Sequence, residues 1–205
     1  METQTKETQD KLTPQDALTL LKKGNQRFVD NKKLGRDLLK QVVETSTGQY
    51  PFAVVLGCID SRVPTEIVFD QGVGDVFSTR VAGSVINEDV LGSLEYSCKV
   101  AGSKLIIVLG HSKCGAVTSA CKEIELGNIT ALLNKIKPAV DTIKSNSNGE
   151  VNDQFVDKVI HENTKHSIER IRKESPILAE MEANNEIEIV GAYYDVNTGI
   201  VEFYS

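Results

Sequence analysis

Two short segments concentrate the side chains that bind metals and move protons. The first reads Gly57-Cys58-Ile59-Asp60-Ser61-Arg62, the second Gly110-His111-Ser112-Lys113-Cys114-Gly115. Two thiolates and an imidazole suit Zn²⁺, which takes four ligands and, in catalytic sites, leaves the fourth position to water or substrate. Cys58, His111 and Cys114 make such a set. The His-x-x-Cys spacing suits a tight turn that presents two ligands to one ion. A closed structural site needs a fourth protein ligand, and Asp60, two residues after Cys58, can supply it. Arg62 bears on the choice, because a planar guanidinium can grip a carboxylate at both oxygens. That keeps Asp60 ionised and off the metal.

The elements around these segments must bring them together. Phe52 to Leu56 and Leu105 to Leu109 are continuous apolar, β-prone runs, each followed by glycine. That pattern fits strands covered on both faces. Further strands are expected over 76–81, 186–194 and 200–204. Helices are expected over 13–29, 34–44, 64–69, 88–100, 114–125, 129–144 and 154–173, with a short one restarting after Ser175-Pro176. Thr13-Pro14-Gln15-Asp16 is a helix start, with a capping threonine, proline in the first turn and an early acid. Alternating strands and helices predict an α/β fold with a mostly parallel central sheet. The last two strands, joined across Asp195 to Gly199, predict an antiparallel hairpin at one edge. In open sheets of this kind sites gather at the carboxyl ends of strands, where both segments lie. Residues 1–12 read as a flexible tail, 13–205 as one domain, and the N-terminal helices as candidates to pack on a partner subunit. Ser145 to Asp153 reads as a polar loop.

Composition sets the outer bounds. The chain has 205 residues, 40% hydrophobic and 25% charged, as in ordinary globular domains. A net charge of −6 and scattered cations argue against a nucleic-acid partner. The apolar runs fall far short of the roughly 20 residues that span a bilayer, and the polar N-terminus has no signal-peptide core. No membrane partner and a cytoplasmic location are expected. Four cysteines are too few for a disulfide scaffold. Cys98 and Cys121 fall in expected helices and read as small core residues. His161 and His166 are five apart, not the four that pairs metal ligands on a helix, and read as surface residues. Gly72-x-Gly74 lacks the context of a dinucleotide fingerprint.

Cys58-x-Asp60-Ser61-Arg62 followed by His111-x-x-Cys114-Gly115 resembles the β-class carbonic anhydrase signature. Gly24-Asn25-Gln26-Arg27-Phe28, Gly74-Asp75-Val76-Phe77, Arg80-Val81-Ala82-Gly83 and the Tyr-Asp-Val-Asn-Thr-Gly hairpin are also similar to that family. The likeness spans residues 13–204. It implies zinc ligated by Cys58, His111 and Cys114, with Asp60 and Arg62 as an acid–base dyad. It implies reversible hydration of CO₂ to bicarbonate and a proton by attack of zinc-bound hydroxide. It also implies a homodimer or homotetramer, with sites at subunit interfaces.

A related zinc hydrolase of COS or CS₂ on the same scaffold is the alternative. A non-catalytic zinc-stabilised interaction protein would lack or displace the dyad, and Asp60-Ser61-Arg62 is intact. Two thiolates cancel the formal charge of the ion, so its water should be less acidic than in a site of three neutral histidines. Activity is therefore expected to rise toward alkaline pH. Asp60 released by Arg62 would become the fourth ligand of a closed form. Some bacterial members favour that form with a Trp, Arg and Tyr set that binds bicarbonate. This chain has no Trp, so the open form is expected.

Overall fold

A computed structural model describes residues 3–145 and 151–204. Its centre is one sheet built from β1 (Ala53–Gly57), β2 (Val76–Arg80), β3 (Leu105–His111), β4 (Glu188–Tyr194) and β5 (Val201–Phe203). The spatial order is β2-β1-β3-β4-β5. The first four run parallel, and β5 pairs antiparallel to β4 at the edge. Every residue of β1 and β3 is buried, as their unbroken apolar runs require. Each large aliphatic side chain so buried contributes about 1.5–3 kcal/mol by leaving water.

The helices in chain order are α1 (Lys6–Lys11), α2 (Pro14–Val29), α3 (Leu38–Thr45), α4 (Thr65–Val68), α5 (Glu88–Glu95), α6 (Gly115–Cys121), α7 (Gly127–Leu133), α8 (Lys137–Ser145), α9 (Asp153–Glu174) and α10 (Pro176–Ala183). Ala53, Val55, Leu105, Ile107 and Leu109 face α2, meeting Ala17, Leu18 and Leu21. Val54, Leu56, Ile106 and Val108 face the other way, onto α5, α9 and α10. Alternate residues of each strand therefore serve opposite layers. Helix α9 lies close on β3 at Gly110, where an added Cβ would come 2.7 Å from Thr164 Oγ1. Asn25 ties three elements: its Nδ2 donates to the carbonyls of Val68 and Gly199, and its Oδ1 accepts from Val201 N. Arg27 and Arg36 both donate to buried Asp70, just past α4. Burial raises the Asp70 carboxyl, but the bonds from Arg27 and Arg36 outweigh it, so it lies below its ordinary value.

Several boundaries differ from expectation. The segment 1–12, expected as a flexible tail, carries α1, capped by Thr5. Buried Gln9 secures it, its Nε2 donating to the carbonyls of Pro51 and Ala101 at 2.8 Å each. A polar anchor of this kind leaves no apolar periodicity to read. Helix α3 starts at Leu38 because Asp37 caps it. Strand β3 extends through Gly110 to His111. Helix α6 stops at Cys121, before Glu123 takes a positive φ of 55°. The helix expected over 129–144 is two, α7 and α8, with Pro138 tolerated in the first turn of the second. Of the polar loop, 146–150 lie outside the described residues. Among the described residues no helix is long and apolar enough to cross a membrane.

Candidate metal centre

Parallel pairing of β1 with β3 places their carboxyl ends side by side. Cys58 follows the last residue of β1, His111 ends β3, and Cys114 caps the amino end of α6. All three side chains are buried, and their ligand atoms lie within 4.8 Å of one another. The predicted three-donor set is thus brought together. Asp60 is not part of it, because Arg62 holds its carboxylate. Arg62 Nε donates to Oδ1 at 2.9 Å and Nη2 to Oδ2 at 2.8 Å. The Arg62 backbone N–H adds a third bond to Oδ1, also 2.9 Å. These side-chain bonds are the main reason the Asp60 carboxyl is pushed down to about 2.

The histidine is oriented by the main chain. Its Nδ1 lies 2.9 Å from the carbonyl of Ser112, so that nitrogen carries the proton and donates it. Nε2 then presents its lone pair, and it is buried without a hydrogen-bond partner. An orphaned acceptor beside two thiols is costly unless an ion takes it up. Sulfur chemistry points the same way. The nearness of the two sulfurs lowers the Cys58 thiol and raises that of Cys114. The Gly83 N–H, 3.3 Å from Cys58 Sγ, further favours a thiolate there. The N–H groups of Ala116 and Val117, at the start of α6, do the same for Cys114. The donor set fits a thiophilic divalent cation.

Three supporting residues carry no signal in the local motifs. Arg80 ends β2 and pins the turn after β1, donating to the carbonyls of Cys58 at 2.8 Å and Asp60 at 2.6 Å. Gly83, at φ 71°, supplies its N–H from a left-handed turn where an added Cβ would come 2.7 Å from Ile136 Cδ1. Ser112 supplies the carbonyl that holds His111. Only the Arg80-Val81-Ala82-Gly83 run drew attention to the first two.

The remaining candidates lie elsewhere. Cys98 and Cys121 are buried as expected, and burial pushes their thiols up to about 12 and about 11. His161 is not a plain surface residue. It stacks on Tyr193, with ring centroids 4.5 Å apart, and its Nδ1 bonds to the Tyr204 hydroxyl at 2.7 Å.

The fold has clear relatives. The β-carbonic anhydrase CafA of Aspergillus fumigatus superposes with a TM-score of 0.76 at 23% identity, covering 82% of this chain and 81% of that one. One of two tetrameric β-carbonic anhydrases from Sordaria macrospora gives 0.73 at 21%, covering 81% and 90%. At such identity they share the fold. A family model described as carbonic anhydrase matches residues 53–201. Carbonic anhydrase 2 of Mycobacterium tuberculosis is 36% identical over 192 residues, 91% of this chain and 90% of its own length. The chain therefore belongs to the carbonic anhydrase family of enzymes, in its β class.

Proposed function

We propose that this protein hydrates CO₂ reversibly to bicarbonate and a proton, using zinc held by Cys58, His111 and Cys114. The observation that carries this reading is the buried three-donor cluster beside an arginine-held, ionised carboxylate. Zinc, when bound, supplies a Lewis-acid charge that acidifies a water molecule.

The protein's residues do the rest. Arg62 holds the Asp60 carboxyl down to about 2, so Asp60 is an ionised acceptor at neutral and alkaline pH. Of the carboxylate's roughly four acceptor positions, Arg62 fills two on Oδ1 and one on Oδ2. Oδ2 keeps one, and it accepts a hydrogen bond from the attacking water or hydroxide and so orients a lone pair toward the carbon of CO₂. Asp60 stays outside the donor cluster, which supports the open form as the working state. Cys58 and Cys114 bring two negative charges to a divalent ion, so activity rises toward alkaline pH.

Assembly as a homodimer or homotetramer belongs to the same reading. Helix α3 shows Leu39 and Val43, 79% and 72% exposed, to its surroundings. Apolar surface of that kind favours a partner subunit. A pair of zinc thiolates calls for surroundings that keep thiols reduced, which supports a cytoplasmic location.

Stopped-flow CO₂ hydration across pH, with zinc measured on the same sample, tests the reading. One zinc per chain and a rate that climbs with pH are expected. Stoichiometric zinc without CO₂ turnover, or turnover of COS or CS₂ in its place, would overturn it.

A further inference from the structure

The turn between β4 and β5 touches the ligand-bearing turn at several points. Register places His111 beside Tyr194, the last residue of β4. From there the Ser112 N–H donates to the Tyr194 carbonyl at 2.9 Å. Ser112 Oγ accepts from Val196 N at 2.9 Å and donates to Asp195 Oδ1 at 3.2 Å. Lys113 Nζ reaches Asn197 Oδ1 at 2.8 Å. The Ser112 N–H is thus held by the end of β4, and its hydroxyl and the tip of Lys113 by the turn that follows, residues 195–200.

That loop is itself rigid. Asp195 Oδ1 accepts from Asn197 N at 2.8 Å and Asn197 Nδ2 at 2.7 Å, and Oδ2 accepts from Thr198 Oγ1 at 3.0 Å. The Gly199 N–H closes the turn on the Asp195 carbonyl. Buried Asn25 of α2 fastens its far end through Gly199 and Val201.

The gripped segment needs holding. Lys113 sits at φ 55°, a left-handed conformation that disfavours a side chain with Cβ. It lies between two of the three donors. Its carbonyl accepts from Arg62 Nη2 at 3.2 Å, so the same residue also touches the dyad.

We propose that the β4–β5 turn is a clamp for the ligand turn, with Asp195 and Asn197 as positioning residues for His111 and Cys114. Asp195 acts through Ser112, whose carbonyl orients the imidazole; Asn197 acts through Lys113. This rests on the reading that Cys58, His111 and Cys114 hold zinc. The clamp governs how long the ion stays and how the imidazole is aimed, so its effect is separable from CO₂ turnover.

The experiment measures zinc release from the full-length loaded protein to excess chelator. It also records the visible spectrum of the cobalt-substituted form. Asp195→Ala is expected to speed release roughly 10- to 100-fold, as loss of outer-shell support does, and to shift the cobalt bands. Asp195→Asn keeps an oxygen for Ser112 and Asn197 and should restore most of the wild-type behaviour. Asn197→Ala, at an exposed position compatible with folding, should speed release by a smaller factor. Val201→Ala removes buried hairpin packing while keeping the backbone N–H bond to Asn25 and every side-chain bond of the clamp. It should lower the urea midpoint while leaving release and spectrum unchanged.

Release from Asp195→Ala no faster than from Val201→Ala would overturn the clamp. So would failure of Asp195→Asn to restore the spectrum. If Asp195→Ala does not fold, wild-type release from Asn197→Ala overturns it. A wild-type chain that takes up no zinc would instead fail the metal reading, and the clamp would fall with it.

Discussion

The ends of β1 and β3 look like copies of each other in sequence, Val-Leu-Gly-Cys against Val-Leu-Gly-His, yet the structure uses them differently. The β3 end places two candidate donors on one turn, and main-chain groups serve them: the Ser112 carbonyl orients His111, and the N–H groups at the start of α6 favour a thiolate at Cys114. The β1 end delivers one donor and then turns outward to the dyad. There arginine side chains do the holding, Arg62 on the carboxylate and Arg80 on the chain. Asp60 and Arg62 are partly open, with side chains 17% and 48% exposed, whereas His111 is 1% exposed. Keeping an ion suits a rigid, dry setting; accepting and releasing protons requires access to water. The difference predicts that damage at the two ends will show in different measurements.

The largest effect should come from the β3 end. Cys114→Ser removes one of the two thiolates proposed to hold zinc, and zinc affinity should fall beyond the ~100-fold reached by outer-shell changes. Metal analysis after dialysis against chelator checks it; a zinc-replete variant would break the comparison. The next effect belongs to the β1 end. Asp60→Asn should retain stoichiometric zinc while CO₂ hydration falls roughly 10²–10⁴-fold, because the amide loses the carboxylate's charge and acceptor capacity. Full turnover in that variant would remove Asp60 from the chemistry and erase the division between the two ends.

The smallest expected effect is a pH effect beside the β3 end. His161 stacks on Tyr193, which pairs in register with Gly110. Burial pushes the imidazole below its ordinary 6.5, with Asp157 and Glu202 opposing and Lys165 reinforcing. The Tyr204 and Tyr193 rings are its other close neighbours. The unfolded chain then binds a proton near pH 6.5 that the folded chain refuses until lower pH. Stability should therefore fall as pH drops below 6.5. His161→Gln should shrink that loss slightly, read as the change in urea midpoint between pH 7.5 and 5.5. An unchanged pH response would show that the cluster is electrostatically neutral to folding.

How much of this was legible in the sequence depends on the range of the interaction. The buried strands announced themselves through unbroken apolar runs, and α2 through Thr13, Pro14 and Asp16, because those signals are local. That Cys58, His111 and Cys114 come together was legible because side chains suited to one metal ion stand at short spacings after two matching strand ends. The split of α7 from α8 was hidden in a pattern that stays amphipathic across the break. The anchoring of α1 by Gln9 was hidden for another reason: one buried amide makes a contact without periodicity. Arg80, Gly83 and Asp195 serve the centre from 22, 25 and 83 residues away in the bonds they make to Cys58 and Ser112. A single sequence carries no trace of such pairings.

The bond between His111 Nδ1 and the carbonyl of Ser112 has a genetic consequence. Every amino acid brings the same carbonyl, so no codon change at position 112 can delete that acceptor. Variation can reach it only by moving the chain. Mutational intolerance should therefore pile up at the residues that fix this stretch of backbone, and at position 112 it should follow the hydroxyl that Asp195 and Val196 hold, not the carbonyl.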